Sequence, residues 1–246
     1  MADLADSIRE KKGEAHQNAV DSDTDDTGHE EWDVVDRDST STTSPTTDAK
    51  TEAILELIDG ASNVLVKGPA DCATEESLCS RLMAAQPGET VDLILLLVDQ
   101  SPEERLSFLR NYISNPIENI TVTYVQTYDR SAGGADLPDV TINRISDPTD
   151  LRRIGILTSK AMGERADSPN KTVVCVHSVS ELIAAANDNQ RVFRFLHVLR
   201  GRVESTGARA HYHLDPESHP DETVQTFTSL FDTVLDFDEH GSLSVE

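Results

Sequence analysis

The feature that most constrains the fold is a series of short apolar runs that alternate with helical patterns. Residues 91–98 read VDLILLLV, and similar runs occur at 63–67 (NVLVK) and 171–176 (KTVVCV). A strand without polar alternation is typical of a parallel sheet that is covered by helices on both faces. We therefore predict an α/β fold with a mostly parallel central sheet, helices on both faces and a C-terminal β-hairpin over 233–246.

The first 50 residues differ in composition from the rest of the chain. They are rich in Asp, Ser and Thr, contain no Phe, and have few branched apolar residues. Such a segment cannot bury enough surface to offset its ordering entropy. We predict that residues 1–50 form a disordered acidic tail and that residues 51–246 form a single domain. Within the tail, HEEWDVVDR contains Trp32, which is either a docking motif for a partner or a solvated side chain.

The charge balance restricts the partners of the chain. It has 45 Asp and Glu against 21 Lys and Arg, a net charge of -24, and only six of its basic residues are Lys. Most of the surface should therefore repel nucleic acid and anionic membranes. Broad acidity with little Lys favours a salt-rich cytoplasm that screens carboxylate repulsion, although an acidic mesophilic protein is the alternative. Three cysteines without C-x-x-C spacing indicate a reducing cytosol, and no apolar run is long enough to span a bilayer.

Residues 63–83, NVLVKGPADCATEESLCSRLM, have the strand–turn–helix order of a phosphate-binding loop. On the pattern G-x-x-x-x-G-K-[S/T], Gly68 takes the first position. Ala73 replaces the second glycine, Thr74 the phosphate-binding lysine, and Glu75 the magnesium-binding hydroxyl. The cation is therefore missing, and Glu75 brings a negative charge to the place of a polyphosphate.

The second half of a nucleotide site would be an acid at the end of a buried strand. The candidate strand over 171–178 has His177 at that position. Magnesium prefers hard oxygen ligands, so a histidine does not replace the acid. We therefore predict no cofactor. The alternative is weak ATP and magnesium binding, with the cation supplied by Lys67 or by an arginine of another subunit.

Several stretches together resemble the RecA/KaiC-type ATPase domain, and in particular a haloarchaeal family of uncharacterised RecA-like proteins. They are NVLVKGPADCATEES, GETVDLILLLVDQSPEERL, TVVCVHSVSELI, FRFLHVLRGRV and AHYHLDP. The resemblance covers nearly all of the predicted domain. It implies a RecA-like core with the loop at 68–75 beside the central strand. It does not imply ATPase activity, because the lysine and the strand-end acid are both absent, so we predict a pseudo-ATPase rather than an enzyme.

Three histidines form a candidate metal site. His211 and His213 lie two residues apart and would face the same side of a strand, and His177 would end a neighbouring parallel strand. Zinc binding by these side chains is conceivable. The favoured interpretation is that the histidines pack on one face of the strand while Tyr212 and Leu214 pack on the other, so no metal is predicted.

Five arginines form the one basic cluster of the acidic chain. Arg191, Arg194, Arg200, Arg202 and Arg209 lie within nineteen residues. Their planar guanidinium groups suit carboxylates, so the cluster, with Trp32, is a candidate for binding a partner protein or a second subunit. Local ion pairing with Asp188, Glu204 and Asp215 is the equal alternative.

Three functional hypotheses follow. The favoured one is a non-catalytic RecA-like module that acts through protein contacts, with a regulatory or signalling role and the acidic tail as tether or docking segment. The second is a weak nucleotide binder or unusual ATPase, and the third is a histidine-based metal protein. Fold alone does not decide between them.

Overall fold

The computed structural model of the protein describes residues 45–58, 60–126 and 139–246. The helices in these ranges are α1 (Pro45–Ile58), α2 (Ala73–Met83), α3 (Pro102–Tyr112), α4 (Leu151–Gly163), α5 (Val179–Ala186), α6 (Asn189–Thr206) and α7 (Asp221–Thr228). The strands are β1 (Asn63–Lys67), β2 (Val91–Val98), β3 (Ile117–Val125), β4 (Val140–Ile145), β5 (Lys171–His177), β6 (Arg209–Leu214), β7 (Thr233–Phe237) and β8 (Leu243–Val245).

These strands form one sheet in the order β4-β3-β2-β5-β6-β1-β7-β8. The neighbouring pairs are parallel except β7 and β8, which form the C-terminal hairpin. The prediction of a mostly parallel sheet with a closing hairpin is therefore confirmed. The carboxyl ends of β5, β6 and β1 lie side by side, and the loop that follows β1 starts at the edge of the sheet where parallel α/β folds place their ligand sites.

Both faces of the sheet are covered, as the apolar runs predicted. All eight residues of β2 are buried. Ile94, Leu96 and Val98 point into a core formed with α4, α5 and α6. Leu93, Leu95 and Leu97 point to the opposite face, into a core that includes residues of α2 and α3. The alternation places the two cores on opposite sides of one strand.

Short-range signals set several helix ends. Ser101 accepts a hydrogen bond from the Glu104 N–H and is the N-cap of α3, with Pro102 in the first turn. Asp188 is the N-cap of α6 and accepts a hydrogen bond from the Arg191 N–H. Gly207 ends that helix in the left-handed conformation (φ 69°). Within the described ranges, no helix is long and apolar enough to cross a membrane.

Two elements differ from the sequence prediction. Helix α1 begins at Pro45, within the segment that was predicted to be the tail. Strand β4 was not predicted, because it is a half-exposed edge strand without a continuous apolar run. Residues 45–50 of the predicted disordered tail belong to α1, whereas residues 1–44 lie outside the described residues, so disorder there stays a prediction.

The glycine that begins the loop is required by packing. A Cβ atom on Gly68 would lie 2.4 Å from the ring of Phe237, at the end of β7. Phe237 is itself buried in a third core, with Val64, Leu78 and Leu243 among its members. The first glycine of the loop therefore serves the packing of the C-terminal hairpin.

We expect Gly68→Ala to lower the free energy of unfolding by about 1–3 kcal/mol, because the added methyl group displaces a buried ring. Urea unfolding of the full chain measures this change. Gly201→Ala is the matched control, because its Cβ would meet nothing within 4 Å on the exposed side of α6. That variant should be more stable by up to about 1 kcal/mol, since alanine favours helix. Equal effects of the two substitutions would contradict the packing role.

Candidate functional site

The loop between β1 and α2 has the predicted position but not the predicted ligand chemistry. Gly68 donates its N–H to the Leu214 carbonyl of β6 (3.1 Å), and α2 begins at Ala73. Thr74, at the place of the phosphate-binding lysine, lies in the first turn of α2. Asp71 has a left-handed backbone (φ 54°). The strand–turn–helix arrangement is thus present. Its chemistry depends on Glu75.

Glu75, at one altered position of the nucleotide signature, contacts His177 at the other altered position. Its side chain is buried (5% exposed), and one oxygen accepts a hydrogen bond from the Asp71 N–H (2.9 Å). The other oxygen, Oε1, lies 3.1 Å from His177 Nε2 and 2.8 Å from His213 Nδ1. The residue at the magnesium-hydroxyl position therefore contacts the residue at the strand-end acid position. Neither contact is readable from sequence order.

Burial and pairing shift the pKa values of these three groups in different directions. Burial raises the pKa of Glu75, but its contacts with His177 and His213 outweigh this and hold the pKa well below its usual range. Burial lowers the pKa of His177. Burial also acts to lower the pKa of His213, yet its contacts with Cys175 and Glu75 raise it. The contacts with His177 and His213 thus keep the carboxylate of Glu75 ionised.

A pair of buried thiols lies next to this group. Cys79 Sγ is 3.8 Å from Cys175 Sγ and 3.2 Å from His211 Nε2. Arg105 Nη2 donates a hydrogen bond to Cys79 Sγ (2.5 Å). Burial and the contact with Cys175 raise the pKa of the Cys79 thiol. Burial acts to raise the pKa of Cys175 as well, but its contacts with Cys79 and His211 outweigh burial and hold that pKa below its usual value.

The sequence analysis missed Cys79, Cys175 and Arg105 as members of a site. Cys79 lies one helical turn after Glu75, so both side chains point to the same face of α2. Cys175 and His177 share a strand face in the same way. The alternation of side chains along residues 171–177 and 209–214 predicts which residues share a strand face. It does not predict which residues lie opposite one another, because that depends on the strand register.

The three candidate histidines do not form one set. His211 and His213 belong with Cys79 and Cys175, whose potential ligand atoms all lie within 4.8 Å of one another. His177 belongs with Glu75 and His213 in a second such group. As predicted, the histidines of β6 occupy one sheet face while Tyr212 packs in the core on the other.

Lys67, the cation of the alternative hypothesis, already has partners. Its Nζ lies 2.7 Å from Asp236 and 3.7 Å from Glu246. Burial acts to lower its pKa, but the hydrogen bond and charge of Asp236 raise it. The side chain therefore points towards the C-terminal strands and is held there as an ammonium ion.

The structure separates the five arginines into different roles. Arg200 is mostly buried and lies 3.3 Å from Asp232 and 3.9 Å from Glu204, so local pairing holds for this residue. Arg209 donates hydrogen bonds to the carbonyl groups of Leu82 and Ala84 at the end of α2.

The other arginines lie towards α4. The guanidinium of Arg202 lies beside Gly163, at the end of that helix. Arg191 and Arg194 line a groove between α4 and α6. Trp32 lies outside the described residues.

The comparisons with known proteins agree with this architecture. Residues 61–237 match a family described as "Family of unknown function (DUF7504)". The chain belongs to this family. No curated protein matches the chain. Among solved structures, the PH0250 protein of Pyrococcus horikoshii OT3 is similar with a TM-score of 0.50 and 17% identity, covering 79% of this chain and 90% of that one.

Two further structures have lower similarity to this DUF7504 protein. One is an ATPase from the type III secretion system of pathogenic bacteria, with a TM-score of 0.47, 14% identity, and coverage of 74% of this chain and 54% of that one. The other is the flagellar accessory protein FlaH of Methanocaldococcus jannaschii, with a TM-score of 0.43, 16% identity, and coverage of 78% and 81%. The predicted α/β fold with a mostly parallel sheet is confirmed by the strand order, whereas its RecA-like character stays a prediction.

We expect Glu75→Gln to lower the free energy of unfolding at pH 7 by on the order of 3 kcal/mol, because it takes away the buried charged acceptor that His177 and His213 share. The folded pKa of Glu75 is depressed, so its stabilisation is full above the ordinary Glu pKa of about 4.3 and is lost as the pH falls towards the folded value. The difference between variant and wild type should therefore narrow below about pH 4.

Urea unfolding at pH 7, at pH 5 and below pH 4 measures this difference. Glu76→Gln is the control, because Glu76 is exposed and adjacent, and it should show almost no effect at any pH. A difference for Glu75→Gln that stays constant into the acid range would contradict the ionised state of the carboxylate.

Proposed function

We propose that this chain is a non-catalytic RecA-like module that acts through protein–protein contacts, in a regulatory or signalling role and in a salt-rich cytoplasm. One observation carries the non-catalytic part. At the position of the magnesium-binding hydroxyl, the loop has the carboxylate of Glu75, which is buried against His177 and His213. A loop that serves ATP needs a lysine and a metal-binding hydroxyl there, and this loop has neither. The two oxygens of Glu75 are already engaged by the Asp71 N–H, His177 and His213.

The weak nucleotide binder is disfavoured by charge. A phosphate close to Glu75 would meet a like charge, which costs about 4 kcal/mol per pair at 4 Å in an effective dielectric of 20. Lys67 is held by Asp236 and does not offset this cost. The N-terminus of α2 stabilises an anion by at most about 2 kcal/mol, so repulsion prevails.

We expect no heat when Mg-ATP or Mg-ADP is titrated calorimetrically into the full chain in molar KCl, because the loop repels polyphosphate. Glu75→Ala runs beside the wild type, with circular dichroism as the check on folding. Binding only by the variant would support Glu75 as the group that excludes phosphate. Micromolar binding by the wild type would overturn the non-catalytic proposal.

The contact surface that we propose is the groove between α4 and α6. It has a volume of about 550 Å³, and its apolar lining includes the exposed side chains of Ile156 and Val198. Exposed apolar side chains that lie together mark interaction sites. Three arginines complete the lining: Arg152, Arg191 and Arg194.

The charge of the groove selects its occupant. In a chain with a net charge of -24, a groove lined by three arginines attracts acidic segments that the rest of the surface repels. We assign to it an acidic segment with large apolar side chains, as in an amphipathic segment that binds a groove. Residues 29–37, HEEWDVVDR, are a sequence of this chemistry, with four acids, one Trp and two Val.

We expect a synthetic peptide HEEWDVVDR to bind this groove. The receptor is the full chain with Trp32→Phe, which contains no other Trp, so that the peptide is the sole Trp emitter. Binding should shift the emission to the blue. Val198→Asp and Arg194→Glu should each weaken binding by about tenfold or more, since each removes an anchor from the groove.

Arg110→Glu is the charge-matched control, because Arg110 is an exposed arginine on α3, away from the groove. It should leave peptide affinity nearly unchanged. No emission shift, or equal weakening by Arg110→Glu and Arg194→Glu, would rule out the groove as the binding surface.

A further inference from the structure

A second set of buried side chains, on the opposite face of the sheet from the groove, has the composition of a metal site. Cys79, Cys175, His211 and His213 each place one potential ligand atom within 4.8 Å of the others. The four residues are 0%, 0%, 2% and 2% exposed. We propose that these four side chains bind one zinc ion as a closed structural site.

The distances fit tetrahedral zinc. Two thiolates at about 2.3 Å from a tetrahedral ion lie about 3.8 Å apart, and a thiolate and an imidazole nitrogen lie about 3.5 Å apart. The observed separation of the sulfur atoms of Cys79 and Cys175 is 3.8 Å. Cys79 Sγ and His211 Nε2 are 3.2 Å apart, so a shift of a few tenths of an ångström would admit the ion.

The ligands are held by rigid elements. Cys175 on β5 and His211 on β6 are directly paired in the sheet. His213 follows two residues later on the same strand face. Cys79 approaches from α2, which packs across this face, so the set closes from three elements. Four protein ligands with almost no exposure leave no open position for a substrate, which is the arrangement of structural rather than catalytic zinc.

Neighbouring groups support the ligands. His213 Nδ1 lies 2.8 Å from Glu75 Oε1, and neither of the two buried ring nitrogens forms a hydrogen bond of good geometry among the described residues, so Nε2 is left for a metal ion. A carboxylate on one imidazole nitrogen with a metal on the other is the usual support of zinc-binding histidine. Arg105 donates to Cys79 Sγ as a hydrogen-bond donor to thiolate would.

The charges balance when zinc is included. One Zn²⁺ and two thiolates sum to zero, and the Arg105 guanidinium cancels the Glu75 carboxylate. A buried group of ions is tolerated when its charges are paired in this way. The donor set of two sulfurs and two imidazoles also rejects magnesium and calcium, which prefer oxygen, and favours zinc among the available divalent ions.

Cobalt titration of the chelator-treated full chain tests the proposal. We expect one Co²⁺ per chain, with the visible absorption of tetrahedral cobalt and a thiolate charge-transfer band, both removed when Zn²⁺ displaces the cobalt. Cys175→Ser should lose the charge-transfer intensity of one thiolate. Cys72→Ser is the matched control, because Cys72 lies outside the cluster, and it should bind like the wild type.

Glu75→Gln tests the supporting carboxylate and keeps all four ligands. It should weaken metal binding by roughly 10- to 100-fold without changing the cobalt spectrum. X-ray absorption of the zinc-loaded wild type needs no variant. It should show two sulfurs at about 2.3 Å and two nitrogens at about 2.0–2.1 Å.

Three outcomes would overturn the site. The first is a folded wild type that retains no zinc or cobalt. The second is cobalt binding that Cys175→Ser leaves unchanged while Cys72→Ser abolishes it. The third is a zinc shell without two sulfurs. None of these results concerns the α4–α6 groove. The proposal of a zinc site and the proposal of a docking surface are therefore tested independently.

Discussion

The contact of Glu75 with His177 and His213 is the interaction on which the centre of the molecule depends. It ties α2 to the ends of β5 and β6. A carboxylate in this dry position is stable only with partners, because burying an unpaired charge is expensive. This constraint explains why both halves of the nucleotide signature differ together. Without His177 and His213, Glu75 would be a buried unpaired carboxylate, at a cost of several kcal/mol in the free energy of folding.

The same constraint shows how far sequence reasoning reaches. The fold was predictable because apolar runs, caps such as Ser101 and the C-terminal hairpin are local signals. Glu75 and His177 were each identified as altered positions, but their contact spans a sequence separation of 102 residues. Cys79 and Arg105 could not be assigned to this site from the sequence. They come together only because α2 and α3 pack on the sheet next to the paired strands β5 and β6.

The sheet separates two regions of different character. One face carries the titratable group beneath α2 and α3, and the other carries the apolar core beneath α4 and α6. Tyr212 and His213 illustrate the division, because adjacent residues of β6 point to opposite faces. Substitutions in the groove and in the buried polar cluster share no partner, so their effects on stability should add.

The position of β1 in the sheet has a consequence for the order of synthesis. It pairs with β6 on one side and β7 on the other, although β6 begins only at Arg209. At a translation rate of about 5–20 residues per second, the first strand waits roughly 7–30 s for a neighbour. During that time VLV of β1 is an unpaired apolar segment on the ribosome. The short length of β1, five residues, limits the pairing that it offers to other nascent chains until its own partners have been made.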